Sequence, residues 1–222
     1  MREVVPPAEQ ESAPKPQERL SDSTAERELF RLALLHQQTG DPRAALELYQ
    51  KLLALNPKNA VALNNMGVIL KEIGQLGKAG DHLRKAVDLD PSYDKAHTNL
   101  GVVLQLQEQP QAAIESHLRA LAINDKSWES AVNLGLIFWS EGDLESAKRF
   151  FSKALGVRHE ASVLYHLGLV SEQLGERLEA VRYYRLALTK GDGLTLDLRE
   201  KIEIRLRRLL RGNEVKDPAY NP

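Results

Sequence analysis

A helix loses about 1 kcal/mol when glycine replaces alanine in its interior. Yet this chain sets glycine inside four apolar runs: "NMGVIL" at 65–70, "NLGVVL" at 99–104, "NLGLIF" at 133–138 and "HLGLVS" at 166–171. Gly67, Gly101, Gly135 and Gly168 lie 34, 34 and 33 residues apart. Alanines keep the same beat at Ala45, Ala79, Ala113, Ala147 and Ala180, and again at Ala86, Ala120, Ala154 and Ala187, with Leu52 in that slot of the first copy. Five units follow, at 26–59, 60–93, 94–127, 128–160 and 161–193. A period of this length restricts the chain to stacked copies of one small supersecondary element.

Within a unit the apolar residues recur at three and four. Leu63, Met66, Gly67 and Leu70 make one stripe, and Ala79, Leu83, Ala86 and Leu89 make the next. That is helical periodicity twice over. Short polar breaks separate the stripes: "TGDP", "IGQLG", "EQP", "EGD" and "LGE". Each unit therefore reads as a helical hairpin, which cannot bury its own stripes and must stack. Composition agrees, since aromatics are only 5% and strong helix formers dominate. The small residues at unit positions 8, 20 and 27 are expected where helices come closest, at the near end of the usual 8–10 Å spacing.

The pattern resembles the tetratricopeptide repeat, whose signature W-x2-L-G-x2-Y…A-x3-F…P spans 34 residues. The second unit, "AVALNNMGVILKEIGQLGKAGDHLRKAVDLDPSY", carries it nearly throughout, and the likeness covers 26–192. Departures are visible: no unit has tryptophan at position 4, the first has Ala33 in the glycine slot, and position 24 holds Tyr49, Leu83, His117, Phe151 and Tyr184. The resemblance implies an all-α, right-handed superhelical solenoid of antiparallel helical hairpins whose first helices line a concave groove. The one-residue deletion before Ala161 is expected to shorten the turn between units four and five.

The repeat region is taken as 23–193, with Ser23 and Glu26 forming a capping box at its start. Residues 194–212 read as a closing amphipathic helix buried through Leu198, Ile202, Leu206 and Leu209, with Gly212 as the stop and 213–222 a loose tail. Residues 1–22 contain four of the ten prolines and read as a flexible segment, either a plain tail or the linker that follows a membrane anchor.

In the family, unit positions 2, 5, 6, 9, 12 and 13 face the groove. Position 6 here reads Arg31, Asn65, Asn99, Asn133, His166. Three successive amides offer the donor and acceptor that a peptide unit needs. The ladder is similar to that of the repeat region of O-linked N-acetylglucosamine transferase, which implies contacts to a ligand backbone; the alternative is that the amides only keep the wall wet. Position 9 is apolar throughout, with Leu34, Val68, Val102, Leu136 and Leu169. Trp139 and Tyr165 stand beside it, Trp139 either as an anchor for a ligand or as packing, and Lys95 occupies position 2 of its unit. The chaperone-tail clamp of the family is mostly missing: its five positions hold Phe30, Leu34, Asn65, Lys95 and Asn99, and only Asn65 and Lys95 match.

Nothing in the sequence points to catalysis or to a cofactor. The six histidines include no i, i+4 metal pair, there is no cysteine, and phosphate loops, dinucleotide fingerprints and nucleophile elbows are missing. A formal net charge of −1 argues against a bulk electrostatic hold on nucleic acid. "RLRRLLR" at 205–211 is the exception; it either docks on an anionic surface or covers the last repeat while its arginines complement the helix dipole. The expected activity is that of a non-catalytic adaptor binding an extended peptide of a protein partner. Two rivals remain: a tethered bacterial envelope assembly factor of the pilus or secretion type, and a groove blocked by residues 1–20. No stretch is long and apolar enough for a membrane span, and a thiol-free chain fits the cytoplasm or the periplasm alike.

Overall fold

The computed structural model describes residues 16–211. Among them lie eleven α-helices: α1 (Pro16–Gln38), α2 (Pro42–Leu55), α3 (Ala60–Glu72), α4 (Leu76–Leu89), α5 (Asp94–Leu106), α6 (Pro110–Ile123), α7 (Trp128–Ser140), α8 (Leu144–Leu155), α9 (Ala161–Gln173), α10 (Arg177–Lys190) and α11 (Leu196–Arg211). No strand forms among these residues; the one bridge of that kind joins Glu160 to Asp192. Each odd helix packs antiparallel on the next even one, and each hairpin packs on its neighbour, so the chain is an all-helical solenoid.

The glycine of each first helix has a physical reason different from simple backbone approach. The side chain at position 24 of the second helix lies directly on it. A Cβ on Gly101 would stand 2.6 Å from the His117 ring, and one on Gly135 would stand 2.6 Å from Phe151. Leu83 meets Gly67 and Tyr184 meets Gly168 in the same way. Tyr49, Leu83, His117, Phe151 and Tyr184 are all fully buried, as are the alanines at positions 20 and 27. Side chain against bare backbone thus sets the hairpin, and the packing offsets the local helix penalty.

Polar tips complete this joint. Tyr49 Oη donates to Gln37 Oε1 (3.2 Å), His117 Nε2 donates to Gln105 Oε1 (3.1 Å), and Tyr184 Oη donates to Glu172. Each acceptor sits at position 12 of the same unit, one turn beyond the small residue at position 8. With Nε2 protonated, His117 Nδ1 is left buried and without a partner. A proton added there meets no acceptor among the described residues, and burial pushes the imidazole down to about 4.

The turns inside the hairpins show a second regularity. Gly40, Gly74, Gly142 and Gly175 adopt φ of 78°, 78°, 82° and 78°, closing the first helix in a left-handed cap. In the third unit that place belongs to Glu108, held at φ 58°. A side chain there is strained relative to glycine.

Three expectations need correction. α1 already runs from Pro16, a residue suited to the first helical position, so Ser23 lies within the helix and does not open it. The segment read as flexible over 1–22 is therefore helical from 16 onward; residues 1–15, and with them most of the self-blocking segment, lie outside the described residues, as do Gly212 and the tail at 213–222. Finally, the deletion before Ala161 does not shorten the turn. The linker 156–160 is one residue longer than 124–127, whereas α8 is two residues shorter than α6 (12 against 14). This linker is held by the next one: Asp192 N–H donates to His159 O (2.8 Å) and Ala161 N–H to Asp192 O (2.7 Å).

α11 closes the stack. Ile202 is fully buried, and Leu198, Leu206 and Leu209 pack against the cluster around Leu164, Tyr184 and Ala187. Arg177 donates to the Leu209 carbonyl, satisfying one of the last free acceptors of that helix.

Two outcomes are expected. Glu108→Gly should raise stability by about 1 kcal/mol in urea unfolding, because it removes the left-handed strain. His117 binds its proton more weakly folded (about 4) than unfolded (about 6.5), so its contribution is present above pH 6.5 and is lost as pH falls toward 4. His117→Phe, with Phe151 as precedent for the same seat, should therefore lose about 2 kcal/mol less than wild type between pH 7 and 4.5. Parallel pH profiles for the two proteins would refute this.

Candidate functional site: the inner wall and its C-terminal cavity

The odd-numbered helices meet one another along the stack, with α3 against α5, α5 against α7 and α9 against α11, while the even-numbered helices have no comparable mutual contact. The first helices are therefore the inside of the bend, and the residues on them form its wall.

The asparagines do not stand as three equivalent free rungs. Asn99 Nδ2 donates to Asn64 Oδ1 (2.8 Å), Asn64 Nδ2 to Asn65 Oδ1 (3.1 Å), and Asn65 Nδ2 to Tyr49 Oη (2.9 Å). Continued to Gln37, this chain of amides ties units one, two and three together. Asn64, which sequence reasoning passed over, is its buried link. Asn133 is half-buried and has no hydrogen-bond partner among the described residues.

The apolar row varies along the stack. Leu34 is 36% exposed at one end and Leu169 only 7% at the other, with Val68, Val102 and Leu136 half-buried between them. Arg31 is exposed and paired through two donors with Glu28 on its own helix, Nη2 to Oε1 at 2.7 Å and Nε to Oε2 at 3.0 Å. Lys95 is exposed beside Asn99, on the edge of a polar cleft of about 270 Å³ shared with Asp94, Asn124 and Lys126. These residues are spread over the wall and share no single cavity.

Trp139, Tyr165 and His166 do come together. With Leu169, Glu172 and Gln173 they line a cavity of about 450 Å³ between units four and five, and its far side is built by Arg205 and Arg208 of α11. His166 stacks on Phe151 (5.2 Å, 18°) and meets Trp139 and Tyr165 edge-on at 5.5 and 5.8 Å. Its Nδ1 donates to Ser162 O (2.7 Å). That bond fixes the tautomer and leaves Nε2 as an acceptor. Burial, only partly opposed by the Ser162 bond, lowers its pKa, so the ring is neutral at pH 7. Trp139 Nε1 donates to Gln173 Oε1 (2.7 Å), which holds the indole in place and leaves the Gln173 NH₂ group facing outward from that bond.

Charge in the cavity is uneven. Glu172 is paired with Arg205 (3.2 Å) and also receives the Tyr184 hydroxyl. Arg208 has no ion pair among the described residues. The period could not reveal this arrangement, because α11 lies outside the repeat; the sequence signal was the arginine run itself, read for its helix end and not for its neighbours.

If Asn65 is a structural link and Asn133 is free, Asn65→Ala should cost about 1 kcal/mol in denaturant unfolding and Asn133→Ala less than about 0.5 kcal/mol. Equal losses would remove the amide chain from the account.

Similarity to known proteins agrees with this architecture. Family models described as tetratricopeptide repeat match residues 30–94, 129–158 and 161–189, together more than half of the chain. Among curated relatives, photosystem I assembly protein Ycf3 of Cyanophora paradoxa is 47% identical over 53 residues, covering 23% of this chain and 31% of that protein. The chain thus matches under a third of that relative's length. Among solved structures, MamA is 28% identical with a TM-score of 0.66, covering 78% of this chain and 97% of that one. PilF of Pseudomonas aeruginosa superposes with a TM-score of 0.72 at 22% identity, over 87% of this chain and 95% of that one, a likeness of fold alone. Five in-phase hairpins, four of them seated on a glycine, and these matches make the chain a member of the tetratricopeptide-repeat family.

Proposed function

We propose that the chain is a non-catalytic scaffold that holds an extended segment of a partner protein along the wall formed by its odd-numbered helices. The observation that carries this reading is the aromatic cavity: Trp139, Tyr165 and His166 present ring edges and faces in a partly open recess, with an unpaired arginine, an imidazole acceptor and an amide donor at its rim. Membership of a family of interaction repeats supports it, and the similarity to a protein named for photosystem I assembly supports a role in bringing a complex together.

Magnitudes favour an anchor at the cavity over one on the amides. A micromolar complex needs about 8 kcal/mol. Amide contacts add about 0.5–1.5 kcal/mol each, and Asn65 already spends a donor on Tyr49 and its carbonyl on Asn64. Asn99 and Asn133 then act as register-setting contacts, while burial of a side chain against Trp139 and Tyr165 supplies most of the affinity.

A randomised twelve-residue peptide library, displayed and selected against the whole chain, tests this. Enriched peptides should bind Trp139→Ala at least tenfold more weakly and Asn133→Ala a few-fold more weakly, as read by fluorescence anisotropy. Peptides that bind both variants as tightly as wild type would move the site elsewhere.

A further inference from the structure

The proposed reading treats the wall as the site and α11 as its lid. The geometry points further: we infer that α11 is half of the binding site, and that the segment held there carries a carboxylate beside an apolar side chain. This rests on the peptide-holding reading above and names the chemistry of its ligand.

Three observations converge on it. The first is the unequal state of the two arginines in the cavity. Arg205 is committed to Glu172, which cancels the one negative charge in the recess, whereas Arg208 has no ion pair among the described residues. The recess therefore keeps one positive charge in excess, and a planar guanidinium is the donor best matched to a carboxylate. The second is that the aromatic wall adds no compensating charge. His166 is neutral, with its proton on Nδ1 and directed to Ser162 O, so it offers Nε2 as an acceptor for a backbone N–H. Gln173, its oxygen taken by the indole, offers N–H donors instead. Together these groups match a peptide unit on one side and an anion on the other.

The third observation is continuity. Arg208 also borders a second, shallower cleft of about 490 Å³ on α11, together with Ile204, Arg207 and Arg211. Ile204 is 52% exposed there. Arg208 thus stands between the aromatic recess and a basic, partly apolar surface, and a segment leaving the recess past Arg208 meets further positive charge. A partner segment that is acidic on one side of an apolar anchor fits both. A lipid headgroup has no use for the Trp139–Leu169 wall. A nucleic acid, whose bases can stack on such rings, needs a track of cations along its backbone. This recess keeps one arginine unpaired among the described residues and the chain has a net charge of −1, so the peptide is the occupant the cavity favours.

The test uses the full chain and the peptides enriched by selection, made with free and with amidated C-termini. We expect enriched sequences to place Asp, Glu or the terminal carboxylate within about three residues of Leu, Phe or Met. Arg208→Ala should weaken binding at least tenfold and Arg208→Glu more. Arg211→Ala, which removes the same charge from the neighbouring cleft but not from the recess, should change it less than threefold. Loss on amidation alone assigns the carboxylate to a chain end; no loss assigns it to a side chain. Both variants lie on an exposed helix face and should keep wild-type unfolding midpoints. Peptides that lose affinity in Trp139→Ala but show no acidic preference and ignore Arg208 would overturn this inference while leaving the scaffold reading intact. Enrichment of no peptide at all would overturn both. Tighter binding of phosphatidylglycerol vesicles or of a single-stranded oligonucleotide than of any peptide, lost in Arg208→Glu, would assign the arginines to a polyanion and overturn it as well.

Discussion

One contact recurs in four of the five hairpins and governs the rest: a side chain from the second helix lies on the bare backbone of a glycine in the first, with Ala33 taking that slot in the first unit. Where the first helix carries glycine, the ring of His117, Phe151 or Tyr184, or the branched end of Leu83, fills the space a Cβ would need. Dispersion over a ring face, with no void left beneath it, compensates the unfavourable helix propensity of glycine. Because the contact is repeated at a fixed period, the hairpins stack as near-copies of one joint. The wall of the groove inherits its regularity from this joint.

The same joint also carries buried hydrogen bonds. The tips of Tyr49, His117 and Tyr184 all reach position 12, so the residue that ends one turn of the first helix is tied to the core of the second. At unit five that tie is Glu172, and Glu172 in turn holds Arg205. A core hydrogen bond thereby positions a residue of the closing helix, and through it one side of the cavity. Where position 12 is Trp139, above the non-polar Phe151, the tie is absent and the indole is free to face outward to Gln173. Loss of one polar pair in the core thus accompanies an aromatic wall in the groove.

Much of this was legible in the sequence, and unevenly so. Glycine, alanine and apolar positions identified the hairpins, their number and their buried faces, because burial in a repeat is a property of phase and phase is visible in a single chain. The start of α1 was missed because a capping box at Ser23 competes with a proline equally able to open a helix. The deletion before Ala161 was placed in the linker because loops tolerate length changes; here α8 shortened instead, since the linker is fastened to the loop ahead of α11 through His159, Ala161 and Asp192.

By itself, the sequence determined an all-helical stack, its five units, and the residues at its seams, since each of these follows from a pattern of size and polarity along one strand of text. Only the tertiary structure decided which groups on the inner wall are available. Asn64, Asn65 and Asn99 turn to one another, Arg31 turns to Glu28, and Arg205 turns to Glu172, whereas Trp139, His166 and Arg208 come to border one recess. The physical reason is that hydrogen bonds and ion pairs are chosen by distance in space among residues some thirty positions apart, and the helix that supplies the arginines lies outside the repeat, where periodicity carries no information.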